Sequence, residues 1–101
     1  MIERFVMLKL RPGFDRERLA ETARQVLPRV PGVRGVRVGV PADREAEVWD
    51  LAIVVRFDRL EDVGRYLADP AHVAFVAETL APAVEVKKTW NFTLGDDPEL
   101  G

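Results

Sequence analysis

The chain lacks cysteine altogether and has one histidine, His72, among its 101 residues. Without thiolates it can form neither a disulfide framework nor a cysteine-based zinc site, and a metal held by side chains would need carboxylates around one imidazole. Long apolar runs are also missing, since Glu3, Arg4 and Lys9 interrupt the N-terminal segment. This excludes a signal-peptide core and a membrane span. We therefore expect a soluble cytoplasmic protein with no membrane partner.

An excess of one charge is absent as well. The chain carries 15 Lys and Arg against 17 Asp and Glu, interspersed along its length, for a net charge of −2. No basic stripe could neutralise a phosphate backbone, so nucleic acid is not expected as a partner. No glycine-rich phosphate loop, Ser-His-Asp arrangement or carboxylate cluster at metal spacing occurs either. These absences argue against a nucleotide cofactor and against a hydrolytic triad, and we expect no cofactor.

What is present is a clear alternation of strand and helix patterns. Four segments alternate apolar and polar residues as strands do: IERFVMLKL from Ile2, VRGVRVGV from Val33, VWDLAIVVRF from Val48 and VEVKKTWNFTL from Val84. In the third, the apolar face comprises Trp49, Leu51, Ile53, Val55 and Phe57. Asp50 and Glu47 are most simply solvated charges at the sheet edge. The polar tail, residues 96–101, lies outside the predicted domain of residues 1–95.

Two helical segments separate these strands. The first opens at Asp15, a predicted N-cap, and carries an apolar stripe of Leu19, Ala23, Val26, Leu27 and Val30. The second is predicted to begin at Asp58 with a capping box to Glu61 and to restart at Asp69-Pro70. Its stripes are Leu60, Val63 and Leu67 before the break, and Val73, Val76, Ala77 and Leu80 after it, with Phe75 beside them.

The predicted order β-α-β-β-α-β is that of an α+β, ferredoxin-like fold with an antiparallel four-stranded sheet and helices on one face. The other face then carries Phe5, Met7, Ala52 and Val54 with no helix to cover them. A two-fold homodimer with face-to-face sheets would bury this apolar surface. The alternative is a sheet face wetted by solvent.

The candidate site lies around the break in the second helix. Tyr66 and His72 flank Asp69-Pro70, so two helical segments can direct their rings toward one space. A neutral imidazole exchanges a proton near neutral pH and a phenol hydrogen-bonds an oxygen, which suits proton abstraction without a cofactor. Arg4 shares a strand face with Val6, and its fixed charge could bind a carboxylate or a developing oxyanion.

Each residue also has a purely structural interpretation. His72 could be a surface or capping residue, Tyr66 a half-buried aromatic with its hydroxyl in water, and Arg4 a side chain that snorkels to solvent. Cavity size discriminates between the two views: an enclosed pocket of about 300 Å³ or more at His72 favours a ligand, and a collapsed one opposes it.

Several motifs together resemble the stress-responsive dimeric α/β-barrel (Dabb) domain. They are MIERFVMLKL, the VPGV after the first helix, the F-x-x-x-E-D-V-x-x-Y run from Phe57 to Tyr66, and D-P-A-H-V-A-F-V from Asp69. The resemblance covers nearly the whole chain, and the Tyr-to-His spacing is its most specific part. It implies a homodimer whose two sheets form one barrel. Many members are known only as stress-induced or uncharacterised proteins.

The resemblance also implies roles for individual residues. In the family's olivetolic acid cyclase branch, which closes polyketides without a cofactor, the residues matching His72 and Tyr66 are the base and its partner. This chain departs from the family at Arg4, where many members have histidine, and from the cyclase at Leu51, where it has a polar ring. Some members hold magnesium on backbone carbonyls that would correspond to Leu27, Val30 and Val33, and unpaired carbonyls at a helix end suit such a cation.

Three classes of function therefore stay open from the sequence. The first is a homodimer with a pocket for a small organic ligand, lined by Arg4, Tyr66, His72 and Phe75, that uses cofactor-free acid-base catalysis like that of a polyketide cyclase. The second is a non-catalytic stress-responsive dimer in which His72 is structural. The third is a cofactor-free monooxygenase of the related dimeric barrels.

Overall fold

The computed structural model describes residues 1–95, except for the side chains of residues 46 and 47. The predicted tail, residues 96–101, and the Glu47 side chain lie outside this part. Strands and helices follow the predicted order, with the second helix broken in two: β1 (Ile2–Leu10), α1 (Arg16–Val26), β2 (Gly35–Gly39), β3 (Leu51–Phe57), α2 (Leu60–Ala68), α3 (Pro70–Phe75) and β4 (Val84–Thr93). Among the described residues no helix has the length and apolar character needed to cross a bilayer.

The four strands form one antiparallel sheet in the order β2-β3-β1-β4. The two central strands pair with Arg4 opposite Val55, and β4 pairs along the other edge of β1 with Arg4 opposite Asn91. This confirms the predicted ferredoxin-like fold, and it places the first and last strands side by side although they lie at opposite ends of the chain.

One face of the sheet packs against the helices and forms the core. The alternation predicted for the third strand is confirmed from Leu51 to Phe57, whose core-facing side chains are at most 2% exposed: Leu51, Ile53, Val55 and Phe57. Each fully buried aliphatic or aromatic side chain contributes about 1.5–3 kcal/mol through removal of apolar surface from water. The packing of β3 against the helices therefore supplies much of the driving force for this fold.

The third strand begins later than its sequence pattern suggests. Trp49 and Asp50 precede β3, and Trp49 is only half-buried, near Gly39 at the end of β2 and Val40 after it. The Asp50 carboxylate accepts a hydrogen bond of 2.7 Å from the Leu10 amide, so its interpretation as a solvated edge charge was wrong. The pairing of β1 with β3 ends at Leu8 and Leu51. Beyond it, the Asp50 carboxylate takes the place of a strand carbonyl as the acceptor for the Leu10 amide.

Helix α1 and its ending follow the prediction closely. The Asp15 side chain accepts hydrogen bonds from the amides of Glu17 and Arg18, as an N-cap does. Pro28 then removes a donor, and the chain tightens into a 3₁₀ turn over Leu27–Arg29. Gly32, with a φ of 89°, makes the turn toward β2 in a conformation that side chains other than glycine rarely adopt.

The beginning of α2 was predicted incorrectly. Arg59 is its N-cap and makes no side-chain capping bond, whereas the Asp58 carboxylate is engaged by the Arg34 guanidinium at 2.7 Å. The predicted stripe is also wrong in part, since Leu60 and Leu67 are 57% and 40% exposed and only Val63 is buried. Because Arg34 binds the Asp58 carboxylate, that carboxylate does not cap the helix. The buried residues of α2 are Val63 and Tyr66.

The break between α2 and α3 forms as predicted. The Asp69 side chain accepts a hydrogen bond of 2.9 Å from the Ala71 amide, and Pro70 occupies the first helical position. Beyond Phe75 the chain widens into a π-helical turn, Val76–Leu80, closed by the bond from the Ala81 amide to the Val76 carbonyl. Contrary to the predicted stripe, Val73 is exposed and Phe75 is buried, and the five-residue spacing of the π turn brings Leu80 to the same buried side as Phe75.

The second face of the sheet has no cover among the described residues. Phe5, Met7, Ala52 and Val54 lie there as predicted, and the pairing of β4 adds Trp90 and Phe92, which are 47% and 50% exposed. Phe5 and Phe92 meet edge to face at 5.6 Å between ring centroids. We call this the open face.

Candidate functional site

The predicted site residues meet in a cleft between the broken helix and the sheet. It lies where β1 and β4 pass beneath α2 and α3, and its lining includes Arg4, Tyr66, His72, Phe75, Lys87 and Thr89. The structure thus brings the four predicted side chains together, from three separate elements. Their catalytic and binding roles remain predictions.

The helix break aligns the two rings of the site. Tyr66 lies in the last turn of α2 and His72 in the first turn of α3, with the Asp69 cap between them. Their ring centroids are 4.3 Å apart at an interplanar angle of 47°. A continuous helix would place residues six apart on different faces, so the break is what makes the contact possible.

His72 is held by one hydrogen bond to the backbone. Its Nδ1 lies 3.3 Å from the Leu67 carbonyl oxygen, and because a carbonyl only accepts, Nδ1 must carry the proton. Burial lowers the pKa of His72 below the usual 6.5; the Leu67 bond and Asp69 oppose this, while Arg4 and Lys87 add to it. The ring is therefore neutral at pH 7, with the lone pair of Nε2 available as a base.

Tyr66 is more deeply buried than the half-buried alternative supposed. It is 3% exposed, and Phe57 contacts its ring edge-to-face at 5.1 Å between centroids. Burial raises the pKa of its hydroxyl to about 12, against which the charge of Arg4 acts. The phenol keeps its proton near neutral pH and can only donate or accept a hydrogen bond.

Arg4 lies on the helix-facing side of β1, as the alternation predicted. Its Nη1 donates a hydrogen bond of 3.1 Å to the Asn91 side-chain oxygen on the neighbouring strand. Burial lowers the pKa of the guanidinium, yet an arginine remains charged throughout the physiological range. A permanent positive charge thus lies beside the Tyr66 and His72 rings.

Sequence reasoning missed the contribution of β4. Lys87 and Thr89 line the cleft because β4 pairs with β1, with Lys87 opposite Leu8 and Thr89 opposite Val6. The alternation of β4 did place Lys87, Thr89 and Asn91 on a common side, but a pattern within one strand does not reveal which strand lies next to it. Only the pairing shows that this side faces the helices.

The cleft is small. Its volume at His72 is about 40 Å³, which accommodates a few water-sized groups and is far below the roughly 300 Å³ of a preformed ligand pocket. A larger groove of about 510 Å³ lies elsewhere, between Phe14, Arg18 and Glu78, and contains none of the predicted site residues. In this conformation, then, only a small group of a ligand would fit beside His72.

The predicted magnesium ligands are backbone carbonyls at the end of α1. The carbonyl oxygens of Leu27 and Val30 already accept hydrogen bonds of 3.2 Å from the amides of Val30 and Val33. Each keeps a second lone pair, so the donors fit a hard cation in type. Among the described side chains, no group of three or more His, Asp or Glu residues could hold a metal ion. The magnesium site remains a prediction.

Comparison with known proteins identifies the family. The family model of the stress responsive A/B barrel (Dabb) domain matches residues 2–92. The chain belongs to this family. The predicted domain, residues 1–95, extends three residues beyond the end of the match. A search of curated proteins finds no match to the Dabb chain.

Solved structures resemble the Dabb chain over almost its full length. A Dabb family protein with a ferredoxin-like fold from Mesorhizobium loti is 23% identical, with 93% of this chain and 97% of that chain covered and a TM-score of 0.77. A dimeric ferredoxin-like protein of unknown function from Bacteroides fragilis is 25% identical, with coverages of 92% and 95% and a TM-score of 0.74. The hydroxynitrile lyase from Passiflora edulis is 13% identical, with coverages of 97% and 96% and a TM-score of 0.79. These likenesses support the fold.

Proposed function

We propose that this Dabb protein is a homodimer that binds a small carbonyl compound in the cleft and transfers a proton through His72 without a cofactor. The observation that carries the proposal is the state of His72. Its Nδ1 is held by the Leu67 carbonyl and its pKa is lowered, which leaves Nε2 unprotonated on a ring whose centroid lies 4.3 Å from that of Tyr66. General bases of this kind act best when they are unprotonated at the working pH.

The proposed step is proton abstraction next to a carbonyl group. Nε2 of His72 takes the proton, the C–H bond breaks, and its electron pair moves to the carbonyl carbon–oxygen unit as an enolate. The Tyr66 hydroxyl, which stays protonated, donates a hydrogen bond to that oxygen. The proton then returns from the imidazolium to the product. No redox partner is needed for this sequence.

Two comparisons support parts of the proposal. The structural neighbour from Bacteroides fragilis is described as dimeric, and an open apolar face that includes Trp90 and Phe92 suits a face-to-face dimer. The neighbour from Passiflora edulis is an enzyme, a hydroxynitrile lyase, so a chain with this fold carries catalysis in at least one protein.

The cleft volume favours a second candidate function. At about 40 Å³ the space beside His72 is nearly closed, which suits a non-catalytic dimer in which His72 only completes the packing of Tyr66. For catalysis, a ligand must either insert a small headgroup or displace the α3 segment. The two candidates therefore differ in whether His72 responds to ligands.

Proton NMR of the single histidine tests the choice. We expect the His72 ring to titrate below pH 6.5 and its midpoint to move when small β-keto acids are added. In D₂O the protein should also catalyse exchange of the ligand protons next to the carbonyl, and His72→Gln should slow this exchange about 100-fold or more. Tyr66→Phe is the companion variant. It keeps the ring packing and the His72 base, so the exchange rate should fall less than in His72→Gln.

The opposite result would favour the second candidate. If the ring titrates like a free imidazole, ignores every ligand and exchanges no ligand proton beyond the His72→Gln background, catalysis in this cleft is excluded. The non-catalytic dimer would then account for the fold.

A further inference from the structure

Arg4 differs from the other arginines in or next to the sheet that form ion pairs. Arg37 and Arg56 on the open face pair with the Glu3 carboxylate at 3.3 and 3.7 Å, and Arg34 pairs with Asp58 at 2.7 Å. Arg4 has no carboxylate partner among the described residues and bonds only to the neutral Asn91 amide. A partly buried cation without an anion is costly, so its environment favours an anionic ligand.

A second cation lies at the mouth of the same cleft. Lys87 is exposed, lies on the helix-facing side of β4 and lines the cleft with Arg4 and His72. Lys87 pairs with Leu8 and Asn91 pairs with Arg4, so the two cations lie four residues apart along the paired strands. Both act electrostatically on His72, one as a half-buried guanidinium and the other as an exposed ammonium.

Negative charge does not balance this pair. Asp69 is the carboxylate that acts on His72, and its side chain is already engaged as the N-cap of α3 at the Ala71 amide. Tyr66 adds no charge because burial keeps its hydroxyl protonated. With neutral His72, the groups around the cleft thus leave an excess of one positive charge for a ligand to neutralise.

We propose that the cleft selects small carboxylates, with Arg4 binding the carboxylate inside and Lys87 attracting it at the mouth. This deepens the proposed function and rests on it, since it assumes that the cleft at His72 binds a ligand. A carboxylate matches the donors of a guanidinium and is small enough for a narrow cleft, while the rest of the molecule extends past Lys87 toward solvent.

Selection of an anion couples binding to the protonation of His72. A bound carboxylate stabilises the imidazolium, so the pKa of His72 should rise on binding and the affinity should rise as the pH falls through that pKa. Arg4 stays charged over this range and the Tyr66 hydroxyl stays protonated. The coupling is therefore followed at the His72 ring.

Acetoacetate and its neutral analogue acetoacetamide form a matched pair of probes. NMR would follow three signals in the intact protein: the Arg4 side-chain Nε–H, the Lys87 amide and the His72 ring. We expect acetoacetate to bind about 10-fold more tightly than acetoacetamide and to raise the His72 midpoint. Arg4→Gln should abolish most of this preference, and Lys87→Gln should weaken it while leaving the Arg4 signal responsive.

Arg65→Gln is the matched control. It removes the same charge from a side chain of α2 that is 75% exposed and paired with Asp62 at 3.9 Å, so the preference for acetoacetate should persist. Arg4→Lys keeps the charge without the guanidinium fork and should retain part of the preference, which guards against a simple packing defect in Arg4→Gln.

The outcomes separate this inference from the proposed function. Equal binding of acetoacetamide and acetoacetate at His72 would overturn the anion selection while the binding cleft stands. If acetoacetate moves the Arg4 signal and raises the His72 midpoint, but the protons next to its carbonyl do not exchange, the anion site is supported and proton transfer is overturned. If neither compound moves any of the three signals up to about 50 mM, both proposals fail.

Discussion

The two faces of the sheet differ in how far their apolar side chains are covered. On the helix-facing side, the β3 residues Leu51, Ile53, Val55 and Phe57 are at most 2% exposed because α1, α2 and α3 cover them. On the open face, Trp90 and Phe92 remain 47% and 50% exposed, although Phe92 is as large as Phe57 and Trp90 is larger. One face is completed within the chain, and the other is suited to completion by a second molecule.

The candidate site lies at the edge of the surface that the helices cover. The helix layer covers β3 fully but leaves the helix-facing side of β4 polar, with Lys87, Thr89 and Asn91 at its margin. A cleft with both apolar walls and charged groups arises only at such a boundary. On the open face, by contrast, Glu3, Arg37 and Arg56 form an ion-pair cluster.

The largest expected effect is on the helix-facing side. Phe57→Ala removes a ring that is fully buried and that supports Tyr66, so the free energy of unfolding should fall by about 3–5 kcal/mol. Denaturant unfolding followed by circular dichroism measures it. Phe14→Ala, at a ring that is 47% exposed, is the control and should cost much less. Equal losses in the two variants would refute the assignment of the core.

An intermediate effect is expected on the open face. Val54→Asp introduces a charge at the centre of this face, opposite Phe5 on β1, and should raise the dissociation constant of the proposed dimer at least about 10-fold. Sedimentation at several concentrations measures this constant. Leu60→Asp adds the same charge on exposed α2 and should leave the dimer intact. An unchanged constant for Val54→Asp would show that the open face is not the interface.

The smallest effect is expected at the break between α2 and α3. Asp69→Ala removes the cap of α3 and should cost about 1 kcal/mol of unfolding free energy, whereas Asp69→Asn keeps an oxygen acceptor and should cost only a few tenths. Both variants should lower the pKa of His72, because Asp69 raises it. Thermal unfolding and histidine NMR separate the two effects. A loss of stability equal in both variants would mean that charge, and not capping, matters at this position.

Local sequence patterns predicted most of the helices and strands. They failed where a residue distant in sequence binds the side chain in question. The Asp15 and Asp69 caps were predicted correctly because each acts on amides two or three residues away. The Asp58 cap was wrong because Arg34, distant in sequence, binds that carboxylate. The burial of Tyr66 and the polar contact of Asp50 likewise depend on strands that a linear pattern does not position.

By itself the sequence determined the order of elements, the core-facing alternation of β3, the break at Asp69-Pro70 and the placement of Arg4 on the side of β1 that faces the helices. These follow from alternation, caps and proline, which act over a few residues. Only the tertiary structure decided that β4 lies beside β1, that Lys87 faces His72 and that the cleft is narrow. Those features depend on strand pairing and side-chain packing between segments far apart in the chain, where a local pattern carries no information about its neighbour.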